Sequence, residues 1–268
     1  MGAGASRILV AVSASAADDV WAVGYDQRHV TNAQLATGKY IHPFDLGVVL
    51  HWDGTAWKQV PTPKGVLREV DPAGVVAISA KNVWMIANGV VTGYGVAMHW
   101  DGRRWRIFHL DGPVPADVGG SLSLNSLTVV TARDIRVAAT ERAPGEGADE
   151  DNWGLIFRWN GHRWIRRIPE GRMSLRSYDA ILSRTPTEVW VAANDANVFG
   201  PQDGAEFFIT GKSPKKSMRQ QLGQGYIIEA LASDKHTVWA VGWVGSGRGN
   251  PNDYSYAHAR PLVERYGC

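Results

Sequence analysis

The sequence predicts an all-β protein, a five-bladed β-propeller of four-stranded antiparallel blades whose fifth blade is incomplete. Two observations predict this fold. The chain consists of short runs of β-branched and aromatic residues bounded by Gly, Asp, Asn and Pro, which is typical of β-strands. One cassette of such runs also recurs five times at intervals of about 50 to 60 residues, the length of a four-stranded blade. A β-sandwich, the alternative, has many short strands but needs no repeated cassette.

Three aligned series of strands make up the cassette. The first series is aliphatic and lies at 8–15, 75–80, 127–132, 180–185 and 227–233. The second contains a Val-Trp step, first seen at Val20-Trp21, and Ile135-Arg136 fills this position in the third copy. The third series reads GVVLHW at 47–52, and its last two copies are degraded or cut short. Ten of the 12 tryptophans belong to these repeats, so we expect them in the core.

A short turn follows the third series in the first three copies. Asp-Gly or Asn-Gly stands between two tryptophans at 52–57, 100–105 and 159–164. We expect a hairpin with a type I′ turn at each of these places, because that turn needs positive φ at both central residues.

The segments HWDGTAW (51–57) and HWDGRRW (99–105) resemble the Asp-box hairpin, S-x-D-x-G-x-T-W, of sialidase-like propellers. They also resemble the tryptophan-rich repeats of photosystem-assembly-type propellers. The likeness extends as repeats over nearly the whole chain, and it implies the propeller fold alone. The leading Ser and the Thr before Trp of the Asp-box are missing, and no sialidase arginine triad can be placed. Sialidase activity is therefore not implied.

The resemblance also implies the order of strands within a blade, because the Asp-box turn joins the third and fourth strands. The aliphatic series then forms the inner strand A, the Val-Trp series strand B, and the third series strand C. The blades fall at about 7–61, 74–109, 125–168, 178–220 and 226–268 of one domain, 1–268. In the other phase 8–14 would be the outermost strand of blade five, but the strand to which it would pair is absent.

Composition narrows the classes of partner and compartment. The 268 residues carry a net charge of +2 without a basic stripe, which argues against nucleic acid as a partner. No run approaches the roughly 20 apolar residues of a membrane helix, so we expect no membrane partner. The only cysteine is Cys268, which excludes an internal disulfide. The start, MGAGASRILV, lacks the features of a signal peptide, which favours the cytoplasm.

Long connections are expected on one face of the propeller. Loops alternate between the two faces, and the long ones (among them 25–46, 109–124 and 243–259) all fall between strands B and C or D and A. Long irregular connections in a compact domain are often functional. Trp153 and Trp243 stand outside the repeats and lie on this face, where an indole can stack on a ligand or anchor its own loop.

Two carboxylates interrupt the aliphatic pattern of strand A. Alignment of this strand on its Ser or Thr places Asp179 and Glu229 where the other copies have Leu9, Val75 and Leu127. Two close carboxylates raise the pKa of one of them, which is how an acid/base pair arises. We therefore predict Asp179 and Glu229 as catalytic. The alternative is that each is neutralised by a nearby arginine, such as Arg7 or Arg176, or by backbone amides.

The ends of strand B align at positions that we expect to surround the mouth of the central channel. With further polar residues near the long loops, they give the following predicted ligand-binding set: Tyr25, Asp26, Asn88, Glu141, Trp153, Asn194, Asp195, Trp243, His42, His258 and Arg7. His51 and His99 belong to the repeated His-Trp step, and we expect them to be structural. We predict no cofactor, although the acidic run 149–152 has the clustered oxygens that Ca²⁺ prefers.

These features predict one asymmetric pocket for a small molecule or glycan, with acid/base catalysis of the hydrolase, lyase or cyclase type. The scaffold repeats whereas the residues at the mouth differ between blades, which favours a single site over a symmetric lectin. The alternative is a non-catalytic interaction module, lectin-like or protein-binding.

Overall fold

The computed structural model describes residues 6–27, 44–63, 66, 70–89, 94–110, 121–142, 152–167, 176–195, 206–210, 218–221, 226–234, 236–244 and 260–267. The chain divides into two compact units, which we call unit 1 (Met1–Val114) and unit 2 (Pro115–Cys268). The described residues form 19 strands in five antiparallel sheets, four of four strands and one of three. This confirms the predicted fold class, all-β with four-stranded antiparallel propeller blades, and the fifth sheet has three strands among the described residues. The single domain stays a prediction.

Unit 1 contains blades 1 and 2. Blade 1 is formed by β1 (Ser6–Ala16), β2 (Asp19–Gln27), β3 (Phe44–Trp52) and β4 (Trp57–Gln59). Blade 2 is formed by β5 (Val70–Ser79), β6 (Asn82–Gly89), β7 (Gly95–Trp100) and β8 (Trp105–Leu110). Since β1 begins the first sheet and pairs with β2, the preferred phase of the repeat is confirmed. The two blades pack through a core that includes Trp21, Val83 and Met98.

Unit 2 contains blades 3, 4 and 5. Blade 3 is formed by β9 (Ser121–Thr131), β10 (Asp134–Arg142), β11 (Asn152–Trp159) and β12 (Trp164–Arg167). Blade 4 is formed by β13 (Arg176–Thr185), β14 (Glu188–Asp195), β15 (Glu206–Thr210) and β16 (Met218–Gln221). Blade 5 is formed by β17 (Tyr226–Ser233), β18 (Thr237–Val244) and β19 (Arg260–Gly267). The first strands are neighbours, because β13 packs against both β9 and β17.

The predicted hairpins are present, but their loops are longer than a type I′ turn. In blade 1, Trp52 pairs with Trp57, so four residues connect the strands rather than two. Asp53 Oδ1 accepts the N–H groups of Thr55 (3.0 Å) and Ala56 (2.9 Å), and Gly54 has φ +89°. The side chain before the glycine therefore shapes the loop, which local sequence alone did not reveal.

The histidines of the His-Trp step are structural, as predicted. His51 Nε2 lies 2.8 Å from Asp19 Oδ1, and its ring stacks on Trp21 at 4.4 Å. In blade 2, His99 lies 2.9 Å from Asn82 and stacks on Trp84 at 4.4 Å. A polar residue that begins strand B thus fixes the imidazole against the indole in both blades of unit 1.

Blade 3 replaces this arrangement with charges. Arg136 stands where other blades have tryptophan, and Arg158 stands where blades 1 and 2 have histidine. Both guanidinium groups bind the buried Asp134 carboxylate with two hydrogen bonds each, at 2.8 to 3.1 Å. Arg136 also donates to the carbonyl of Pro186 in the next blade (2.8 Å). The missing tryptophan is therefore compensated by an ion triad.

Not all of the repeat tryptophans lie in the core. Trp21, Trp84 and Trp190 are buried as expected, whereas the side chains of Trp57 and Trp239 are exposed. Trp57 begins β4, the outermost strand of blade 1, and no further strand pairs with β4 in the described sheet. Trp239 contacts the guanidinium of Arg265, which lies 5.7 Å from its ring.

Candidate functional site

The first strand of every blade carries a β-bulge at the same place. The pairing with the second strand shifts register there, and one residue remains unmatched. The unmatched residues are Val10, Ala73, Asn125, Asp179 and Glu229. Bulges turn side chains away from the regular alternation of a strand and are common beside active sites. The three polar ones belong to neighbouring strands of unit 2.

These registers confirm one part of the predicted alignment and correct another. Asp179 and Glu229 are equivalent, as expected. Their counterparts in the other blades are Val10, Ala73 and Asn125, and not Leu9, Val75 and Leu127. Alignment on the conserved-looking Ser or Thr assumed an unbroken strand, and the spacing from that residue to the bulge differs between copies.

Asp179 is the centre of a network of neutral donors. Its Oδ2 accepts hydrogen bonds from Ser177 Oγ (2.7 Å) and Asn194 Nδ2 (2.5 Å). Its Oδ1 accepts a longer one from Asn125 Nδ2 (3.3 Å). The partners of this carboxyl among the described side chains are uncharged. Of the two arginines named in the alternative, Arg7 binds Asp26 in unit 1, and the side chain of Arg176 lies outside the described residues, so neutralisation of Asp179 by an arginine stays a prediction.

The environment of Asp179 favours its protonated form. Burial raises the pKa of the Asp179 carboxyl above its ordinary value, and the negative charge of Glu229 raises it further. The hydrogen bonds from Ser177 and Asn194 act in the opposite direction without cancelling the effect. The structure thus brings the two predicted carboxylates close enough to interact.

Glu229 occupies a different environment. Its side chain is exposed, and its Oε1 accepts a hydrogen bond from the indole Nε1 of Trp243 (3.1 Å). Trp243, predicted as a stacking residue, is half-buried and lies on β18 opposite Ile227. One of the two tryptophans outside the repeat therefore orients a carboxylate.

Blade 3 supports Asp179 from the other side. Thr140 Oγ1 accepts the backbone N–H of Tyr178 (3.2 Å), and Asn125 Nδ2 donates to the Tyr178 carbonyl (2.9 Å). The ring of Tyr178 lies over Gly154, where an added Cβ would meet ring atoms at 2.2 Å. The backbone beside Asp179 is thus fixed by side chains of the preceding blade.

In unit 1 the predicted ligand residues include one tight pair. Arg7 and Asp26 face each other across β1 and β2 and make two hydrogen bonds of 2.6 and 3.0 Å. The Arg7 guanidinium lowers the pKa of the Asp26 carboxyl. Tyr25 and Asn88 are half-buried at equivalent ends of strand B, as aligned from the sequence. A ligand role for these four residues stays a prediction.

The remaining predicted residues belong mainly to unit 2. Glu141 forms an ion pair with Arg166 and lies across the strands from the half-buried Trp153. Asn194 is buried in the network around Asp179. Asp195 ends β14, but its side chain lies outside the described residues, as do His42, His258 and residues 149–151 of the acidic run.

Sequence reasoning missed Asn125 and Ser177, whereas Thr140 was aligned among the ends of strand B but not included in the ligand-binding set. Asn125 interrupts the alternating strand SLSLNSLTVVT with an amide, which is a usable signal for a bulge. Ser177 carries no such signal, because small hydroxyl residues are common at strand ends.

Two further findings concern the described residues as a whole. They contain no group of three or more His, Cys, Asp and Glu side chains placed to hold a metal ion. Within the same part of the chain, no helix has the length and apolar character that crossing a membrane requires.

No known family model matches this chain, and no curated protein does. The chain is similar to the crystal structure of a protein of unknown function from Dyadobacter fermentans, with 12% identity and a TM-score of 0.59 over 92% of this chain and 74% of that one. At this identity the likeness shows the fold alone.

Two other solved structures align more loosely. They are YCF48 bound to D1 peptide (14% identity, TM-score 0.34, 88% of this chain and 91% of that one) and YCF48 from Cyanidioschyzon merolae (14%, 0.37, 90% and 80%). TM-scores this low carry no functional argument. The propeller fold is confirmed by the four-stranded antiparallel sheets, while no family match supports the narrower Asp-box resemblance.

Proposed function

We propose that unit 2 binds a small hydroxyl-rich molecule, such as a sugar, at the bulges of β13 and β17, and that Asp179 and Glu229 act on it as an acid/base pair. The observation that carries this proposal is the contrast between the two carboxyls. Asp179 is partly buried with a raised pKa, whereas Glu229 is exposed and held by an indole. Two interacting carboxyls in unlike environments are the usual basis for dividing acid and base roles.

The hydrogen bonds suggest which atoms take part. Asp179 Oδ2 accepts from Ser177 and Asn194, whereas Oδ1 accepts only the longer hydrogen bond from Asn125, so the acidic proton belongs on Oδ1. Glu229 Oε1 accepts from Trp243, so Oε2 is the oxygen that would take a proton from water or from a ligand hydroxyl. Proton donation by one group and removal by the other suit hydrolysis, elimination or cyclisation.

The surrounding groups support a hydroxyl-rich ligand. Carboxylate oxygens accept hydrogen bonds from hydroxyl groups, and an indole gives an apolar surface for the carbon face of a sugar ring. The half-buried Trp243 and, among the predicted residues, Trp153 supply such surfaces in unit 2.

The test is an NMR titration with a panel of monosaccharides, inositol and disaccharides at millimolar concentration, monitored at the indole N–H of Trp243. We expect at least one compound to shift this signal, and Asp179→Asn with Glu229→Gln to abolish the response. Glu188→Gln is the matched control. Glu188 begins β14, at the end opposite to Asn194, and accepts a hydrogen bond from the indole of Trp190 just as Glu229 does from Trp243.

The outcomes separate the two functions considered. Release of product from a chromogenic glycoside by the wild type but not by the double variant would support catalysis. A response that survives the double variant, or no response to any compound, would overturn the proposal and favour the non-catalytic interaction module.

A further inference from the structure

Asn194 joins blades 4 and 5 at the position where the two carboxylates meet. Its side chain is 2% exposed and extends from the end of β14 to the backbone of β17. Nδ2 donates to the Ile228 carbonyl at 3.0 Å, and Oδ1 accepts the Ile228 N–H at 3.0 Å. The amide therefore imitates a paired strand and satisfies both backbone groups of one residue.

This pairing acts directly on Glu229. Ile228 precedes Glu229, and the register of β17 and β18 shifts between Ile228 and Ala230. The backbone from which the bulged Glu229 departs is thus held by a side chain of the preceding blade. The same Nδ2 donates to Asp179 Oδ2 at 2.5 Å.

We propose that Asn194 is a positioning residue that sets the relation between the Asp179 carboxyl and the bulge carrying Glu229. The role rests on the proposed function, because the relation matters only if the two carboxylates act together. Asn194 would touch neither the ligand nor the reacting atoms. It would act through the carboxyl and the backbone that it binds.

The equivalent residue of blade 3 shows why an amide is needed. Thr140 Oγ1 accepts the N–H of Tyr178, just as Asn194 Oδ1 accepts that of Ile228. A threonine hydroxyl at position 194 would keep this acceptor, but it has one hydrogen and cannot also supply both donations of the amide. Asn194→Thr therefore places in blade 4 the hydroxyl acceptor that blade 3 uses, and it removes the hydrogen bond to Asp179.

The test is a carbon-detected NMR titration of the Asp179 and Glu229 carboxyls in the wild type, Asn194→Thr and a control. Loss of the Asn194 donor destabilises the ionised Asp179, so its titration midpoint should move upward in Asn194→Thr. Thr128→Val is the control, because Thr128 Oγ1 also accepts a backbone N–H of the next blade, that of Ser183 at 3.1 Å. In the Thr128→Val variant, the titration midpoint of Asp179 should equal that of the wild type.

A second measurement needs no variant. In the wild type, the Asn194 side-chain amide and the Ile228 N–H should shift with the same midpoint as Asp179, while the Ser183 N–H should not. Glu229 is the charged group among the described residues whose own titration must be followed in parallel. An unchanged midpoint in folded Asn194→Thr, or an Ile228 signal that ignores the titration of Asp179, would overturn the inference.

These results are independent of ligand binding. If no sugar or inositol binds the wild type while Asn194 and Ile228 follow Asp179, the proposed function fails and the coupling stands. If a ligand binds and the Ile228 signal does not follow Asp179, the positioning role fails alone.

Discussion

At the scale of single residues, polar side chains inside unit 2 are paired in two different ways. Asp134 is neutralised by two guanidinium groups, whereas Asp179 is surrounded by neutral donors. The pKa of Asp134 is lowered because the hydrogen bonds and charges of Arg136 and Arg158 together exceed the opposing effect of its burial. The pKa of Asp179 is raised chiefly by burial. Of these two carboxyls, only Asp179 has a pKa shifted in the direction that favours its protonated form.

Asp134→Ala should destabilise unit 2 strongly. The change leaves the buried Arg136 without its counter-ion, and removal of one partner from a buried ion pair costs about 3–5 kcal/mol. Arg158→Ala is the control, since its side chain is 48% exposed and its loss should cost about 1 kcal/mol or less. Urea unfolding measures both, and equal costs would contradict the assignment.

Asp179→Asn should change how stability depends on pH. The folded protein keeps the Asp179 proton at pH values where the unfolded chain releases it, so stability falls as pH rises from the unfolded value, about 3.9, through the folded pKa. The Asp179→Asn variant does not lose stability in this way. Its stability should therefore increase relative to that of the wild type as pH rises.

The difference in urea midpoint between the two proteins, measured from acid to neutral pH, checks this expectation. Asp234→Asn gives the opposite control. The backbone N–H groups of His236 and Thr237 lower the pKa of Asp234, so the wild type should gain on that variant as pH rises. A difference between Asp179→Asn and the wild type that does not vary with pH would contradict the raised pKa.

At the scale of elements, the repeated hairpin can be recognised in the sequence, whereas the bulge cannot. The hairpin loop depends on adjacent residues, a side-chain acceptor followed by a glycine with positive φ, and the sequence shows it three times. The bulge depends on pairing with the next strand, and its residue varies from valine to glutamate. Regular local chemistry therefore builds the blade, and the variable bulge is where blades differ.

Gly161→Ala should destabilise the hairpin of blade 3 by about 1 kcal/mol, because alanine disfavours the left-handed region that Gly161 occupies at φ +93°. An added Cβ would meet only the Arg133 side chain, at 3.2 Å, so backbone strain is the main effect. Gly161→Asn should cost less, since asparagine tolerates this region. Thermal unfolding of the two variants compares them, and equal losses would point to a steric cause.

The edge of blade 5 is an element with its own protection. β19 pairs only with β18 among the described strands, which leaves one side of β19 as an edge. Pro261, Glu264 and Arg265 lie along it, and proline and charged residues on an edge discourage pairing with other chains. The outermost described strand of blade 5 thus carries a proline and charged residues along its outer side.

At the scale of the whole molecule, the net charge bears on which partners the protein binds rather than on its fold. A net charge of +2 over 268 residues is small, so the chain as a whole attracts a polyanion only weakly. The apolar interior, by contrast, is divided among pairs of blades, with clusters between blades 1 and 2, 3 and 4, and 4 and 5. Neighbouring blades in each unit therefore depend on one another for their cores.

The protein should not bind DNA. Fluorescence anisotropy with a labelled duplex should show no saturable increase up to about 100 μM protein at physiological salt, a concentration at which basic proteins bind non-specifically. A duplex-binding basic protein serves as the positive control. Binding that weakens steeply with added salt would contradict the expectation from net charge.

The repeats, the strands, the hairpin positions and the equivalence of Asp179 with Glu229 were determined by the sequence itself, because each follows from side-chain patterns within one cassette. The equivalent bulge residues of the other blades were not, since a bulge appears only in the register between two strands. The partners of Asp179 come from three strands of blades 3 and 4, and Asn194 reaches blade 5. Tertiary structure alone decided burial, charge and contacts at the site, because these depend on which blade lies beside which.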